Sequence, residues 1–106
     1  ELSEGGKRGL ARIARGLKKR PGVSGIVSGH TDDLPIKRRL KKKFLTNWEL
    51  SAARSLAVGH EMMENGLEGE GLEAQAFGPY RPRSSNKTVS GRAKNRRIEL
   101  EIVESE

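Results

Sequence analysis

The chain contains no cysteine, and its 106 residues include only one tryptophan, one tyrosine and two phenylalanines. Without cysteine there is neither a disulfide framework nor a thiolate metal site, which suits a reducing compartment and equally suits an envelope protein that does without thiols. Four aromatic residues supply a poor stacking platform for nucleic-acid bases. No stretch approaches the ~18–20 consecutive apolar residues that a membrane helix needs. The first ten residues, Glu1 to Leu10, carry no apolar signal-peptide core and no initiating methionine, so the expectation is a piece of a longer protein whose anchor lies outside the chain. Hydrophobic residues make up 33% with glycine left out, and the 13 glycines bring the chain only to the lower edge of the ~45–50% of ordinary domains. The core must therefore be thin and the loops extensive. The length fits one domain, residues 1–106.

Positive charge is what the chain has in excess, with a net value of +7. The run Lys37-Arg38-Arg39-Leu40-Lys41-Lys42-Lys43 supplies most of it, and the rest of the chain is close to balanced. Such a run is most often a solvated loop. As a functional feature it would attract anionic wall polymers, lipid headgroups or nucleic acid.

Three helices and three strands can be placed from pattern. Ser3 precedes a helix with Leu10, Ile13, Ala14 and Leu17 at helical spacing, stopped by Pro21-Gly22. Val23 to Gly29 reads as a short buried strand that runs into the polar loop Gly29-His30-Thr31-Asp32-Asp33. Leu34 to Leu45 is irregular and basic, an insertion without a definable element. Thr46 and Glu49 form a capping box for a second helix, and Asn65-Gly66 ends it. Helical projection puts Leu50, Ala53, Leu56, Ala57 and Met63 on a broad apolar arc, with Asn47, Ser51, Arg54 and Val58 on a separate stripe. Leu72, Ala74 and Ala76 alternate with polar neighbours as a strand. Thr88 caps a short helix, and Ile98, Leu100 and Ile102 alternate in a last strand.

The order predicts an α/β (α+β) fold with a mixed sheet of three to four strands and helices on one face. The strand–helix–strand unit gives a right-handed parallel crossover, and the last strand adds antiparallel. Ligands in such folds sit beyond the carboxyl ends of the parallel strands. The loop from Gly29 to Asp32 is at such an end, beside the start of the second helix.

Four motifs occur in order: Gly29-His30-Thr31-Asp32; Asn47-Trp48-Glu49-Leu50-Ser51 followed by Arg54; Asn86, Thr88, Gly91 and Arg92; and Asn95-Arg96-Arg97-Ile98-Glu99. Together they resemble the OmpA-like peptidoglycan-binding domain over residues 1–104. The stretches His30 to Ile36, Thr46 to Arg54 and Tyr80 to Pro82 resemble its flagellar motor stator branch, the MotB-type domains. The resemblance implies non-catalytic binding of the diaminopimelate-bearing stem peptide of peptidoglycan. The aspartate matching Asp32 holds the ligand's ammonium and the arginine matching Arg54 its carboxylate, while Asn47 and Arg96 add hydrogen bonds. Thr31 joins the candidate set beside Asp32. The resemblance further implies a periplasmic domain of a membrane-anchored parent, a stator or a general outer-membrane tether, with homodimerisation as a family trait and no cofactor. The family has a strand before the first helix, so the sheet here is one strand short or the strand lies outside the chain. Pro79 stands where the family has glutamate, and the basic run departs from its pattern.

The chemistry of a zwitterion supports the same pair independently. A carboxylate can hold the ammonium, and the planar guanidinium fork can bond both carboxylate oxygens. Other readings carry less. His30 and Asp32 hint at a metal pair, but His60 lies away from them and no third ligand exists. His30 is expected to be a structural hydrogen-bonding residue. Ser51, His30 and Asp32 hint at a hydrolytic triad, but a serine inside a helix has no nucleophile elbow. Arg96 or Arg97 is expected to bridge loop and sheet.

Overall fold

The computed structural model describes residues 2–104, ordered α1 (Glu4–Lys18), β1 (Val23–His30), α2 (Asn47–Glu64), β2 (Leu72–Gly78), α3 (Val89–Asn95) and β3 (Arg97–Glu104). The sheet order is β2-β1-β3, with β1 parallel to β2 and antiparallel to β3. This is the mixed α+β arrangement the pattern predicts, with three strands among the described residues.

Local signals set the helix ends. Ser3 Oγ accepts the Gly6 N–H at 3.0 Å and starts α1. Thr46 and Glu49 close the capping box of α2, with the Glu49 carboxylate accepting from the Thr46 backbone at 2.8 Å and from its hydroxyl. The Thr46 hydroxyl bond holds the Glu49 carboxyl below its ordinary pKa. At the other end Gly66 adopts φ +100°, and the Gly66 and Leu67 N–H groups bond the Met63 and Met62 carbonyls. That pairing is a Schellman closure, and Met62 and Leu67 supply its apolar contact within the core.

α2 lies over β1 and β2, and α1 packs on α2. The core between them is small: Ala14, Leu17, Val27, Val58, Met62 and Leu67. Leu100 of β3 packs against it, while Ile98 and Ile102 stay open because, among the described residues, no helix covers β3 as α2 covers β1 and β2.

The face of α2 turned to the sheet differs from the expected arc. Ser51, Ser55, Val58, Gly59 and Met62 are buried, whereas Leu56 and Met63 are 48% and 46% exposed. The reason is close packing. A Cβ on Gly29 would lie 2.2 Å from the Ser51 carbonyl oxygen, so strand and helix backbones nearly touch there. Only small residues fit the upper part of that contact. Leu50, Ala53 and Ala57 line a groove shared with Leu2, Leu40 and Phe44.

The basic insertion is more ordered than its sequence suggests. It forms a 3-10 turn at Arg38–Leu40, in which the Leu40 N–H donates to the Lys37 carbonyl, and the next turn is closed by the Lys43 and Phe44 N–H groups bonding the Leu40 carbonyl. Ile36 is buried, and Leu40 and Phe44 are half-buried. These apolar side chains pin the segment to the fold and leave its cations in water.

Candidate ligand-binding site

β1 delivers Thr31 and Asp32 to the end of the sheet. The Thr31 N–H bonds the Gly78 carbonyl at 2.9 Å, extending the β1–β2 pairing past the strand. Asp32 is only 7% exposed, yet both its oxygens are engaged. Oδ1 accepts the Leu34 N–H at 3.0 Å and Oδ2 accepts Arg96 Nη1 at 2.7 Å. A buried carboxylate bonded in this way is fixed in position and orientation.

The first turn of α2 is held against this loop by polar contacts. Asn47 Nδ2 donates to the Leu34 carbonyl at 2.8 Å and more weakly to that of Asp32 at 3.4 Å. Ser51 Oγ accepts the Gly78 N–H at 3.0 Å and donates to the Trp48 carbonyl at 2.8 Å. Trp48 Nε1 donates to the Ala76 carbonyl at 3.1 Å, and its ring meets Tyr80 edge-on.

Arg96 arrives from the junction of α3 and β3, which buried Asn95 organises. Asn95 Oδ1 accepts the Arg83 and Ser84 N–H groups at 2.8 and 2.9 Å, and Nδ2 donates to the Ser84 carbonyl and Asn86 Oδ1 at 3.0 and 2.7 Å. Arg97 bridges loop and sheet, donating to the Arg81 carbonyl at 3.0 Å and to Glu99 at 2.6 Å. The Arg97 hydrogen bond holds the Glu99 carboxyl below its ordinary pKa.

Thr31, Asp32, Asn47, Arg54 and Arg96 all line one cavity of about 550 Å³. Arg54 is exposed and in no ion pair among the described residues. The cavity thus presents one oriented carboxylate and one unengaged guanidinium. Sequence reasoning missed three further cations on its walls: Lys37, Arg39 and Arg92. Arg92 belongs to a quoted motif, and its Nη1 is tied to the Asn86 carbonyl at 2.9 Å. Lys37 and Arg39 come from the insertion, where only the buried Ile36 just before them signalled a docked segment.

His30 is a correction. It lies on the sheet face away from α2, 3% exposed, stacked on Phe77 with ring centroids 5.1 Å apart. Neither ring nitrogen makes a hydrogen bond to the described residues; Nε2 lies 3.7 Å from a Glu99 oxygen. Burial, and then the Arg97 guanidinium, lower its pKa from the ordinary 6.5. Its role is packing rather than hydrogen bonding. Ser51 is fully buried and faces α2's contact with β1, so Ser51, His30 and Asp32 do not form a triad.

The OmpA family model matches residues 1–96. Motility protein B of Bacillus subtilis is 43% identical over 74% of this chain and 29% of that protein. The peptidoglycan-binding protein ArfA of Mycobacterium tuberculosis is 32% identical over 88% of the chain and 26% of that protein. The solved cell wall anchor of the type VI secretion system (T6SS) of Pseudomonas aeruginosa superposes with a TM-score of 0.82 at 31% identity, over all of this chain and 71% of its own. The chain therefore spans under a third of the length of these two curated relatives. With the family's model matched over nearly its whole length and the fold shared with a solved relative, the chain belongs to the OmpA family.

Proposed function

We propose that the chain binds peptidoglycan without cutting it and anchors a larger envelope protein to the cell wall. The cavity takes the zwitterionic end of the stem peptide, a diaminopimelate side chain, with its ammonium at Asp32 and its carboxylate at Arg54. Asn47 keeps the Asp32 loop in place, Arg96 orients the Asp32 carboxylate, and Thr31 completes the wall. The observation that carries this reading is the pairing of a buried, oriented anion with an unengaged guanidinium in one cavity. Relatives named for peptidoglycan binding and for cell wall anchoring support the same ligand class. The similarity to Motility protein B supports a flagellar stator as the parent, working on the periplasmic side of the inner membrane. The buried Ser51, bonded to backbone on both sides, offers no activated nucleophile for hydrolysis.

Cosedimentation with purified sacculi tests this reading. Arg54→Ala removes an exposed side chain without a structural bond, so the fold should persist while affinity falls about tenfold. Asp32→Ala should abolish binding, with thermal melting followed alongside because it also strands Arg96 and the Leu34 N–H. Cosedimentation of both variants at the wild-type level refutes the reading.

A further inference from the structure

The peptide reading leaves the basic insertion over. A diaminopimelate side chain brings one ammonium and one carboxylate, which Asp32 and Arg54 match one for one. The cavity nevertheless holds five cations, Lys37, Arg39, Arg54, Arg92 and Arg96, against the single carboxylate of Asp32. Arg96 is engaged by Asp32 and Arg92 by the Asn86 carbonyl. Lys37 and Arg39 remain, and neither is in an ion pair among the described residues.

Their placement is built rather than incidental. Ile36, buried, and Leu40, half-buried, bracket them and line the same cavity. The Lys37 carbonyl accepts the Leu40 and Lys41 N–H groups at 2.9 and 3.2 Å, closing the turn between the two anchors. Both cations therefore stand on a pinned turn, and less ordering is lost on binding than from a free loop. Two unmatched cations in a concave wall concentrate anions there.

We propose that Lys37 and Arg39 bind a second carboxylate of the ligand, the C-terminal carboxylate of the stem peptide. The site thereby selects free peptide ends. Where cross-linking or amidation has turned that carboxylate into an amide, it presents a neutral group to two cations. This selectivity rests on the peptide reading above.

The test is calorimetric titration of the 106-residue chain with two synthetic stem peptides. They share the diaminopimelate side chain, and one ends in a free carboxylate, the other in a carboxamide. The wild type should bind the acid about fivefold more tightly, with the preference shrinking at high salt, as expected of charge pairs at a solvated rim. In the double variant Lys37→Gln/Arg39→Gln the preference should vanish. A second double variant, Lys41→Gln/Lys42→Gln, removes the same charge from outside the cavity and should keep it. Equal affinity of the wild type for both peptides overturns the inference and leaves the peptide reading standing. Loss of the preference in both double variants also overturns it, by showing a general effect of net charge. Failure of both peptides to bind overturns the peptide reading, and this selectivity with it.

Discussion

The two ends of α2 rest on different materials. Its C-terminal half is seated on Ala14, Leu17, Val27 and Leu67 through Val58 and Met62, a contact made of apolar surface. Its N-terminal half is tied by Asn47, Trp48 and Ser51 to backbone groups at Leu34, Ala76 and Gly78. Apolar burial is non-directional and scales with area, so it stabilises without specifying an angle. Hydrogen bonds to backbone specify geometry but add only about 1 kcal/mol each to stability. One end of the domain supplies the stability, and the other fixes the geometry around the candidate cavity.

The largest effect expected from this contrast is at the apolar end. Met62→Ala should destabilise the fold by about 3 kcal/mol, because it opens a cavity where the side chain is fully buried. Peptide affinity of the folded fraction should stay at the wild-type level, as Met62 does not line the cavity. Denaturant midpoints and calorimetry on the same sample check both parts. A loss of affinity without loss of stability would break the comparison. Asn95→Ala should cost about 2 kcal/mol by stranding the Arg83 and Ser84 N–H groups. Unlike Met62→Ala it should also weaken peptide binding, since Arg96 is the next residue.

The smallest effect concerns pH. The folded pKa of His30 is depressed, so the unfolded chain binds the extra proton first. Stability should therefore be full above the ordinary value of 6.5 and decline as pH falls through it toward the folded value. His30→Gln should remove that part of the acid-side slope in melts recorded from neutral to mildly acidic pH. An unchanged slope would mean that the burial of His30 has no proton linkage.

How far the sequence could be read follows the same division. Capping signals act through neighbouring residues, so Ser3, Thr46, Glu49 and Asn65-Gly66 marked the helix ends within a residue. The alternation around Leu100 and the order of elements were enough for the mixed sheet. The buried face of α2 was misjudged because it depends on a contact distant in sequence. Gly29 lets β1 approach the Ser51 backbone, which reserves the interface for serine and glycine and turns Leu56 outward. The five candidate residues share one cavity, yet the docked turn carrying Lys37 and Arg39 looked like solvated charge. Ile36 and Leu40, spaced to anchor that turn, are too few to show a periodicity.

Asp32 follows the last residue of β1 by only two positions, and β1 is the central strand, bonded to β2 on one side and β3 on the other. A pull on Asp32 directed along the strand axis is carried by β1 into both of its neighbours. Both ladders are loaded in shear, with their bonds sharing the force instead of opening one after another from an edge. The position of the carboxylate thus gives the domain a mechanical direction: its resistance is greatest to a force along β1.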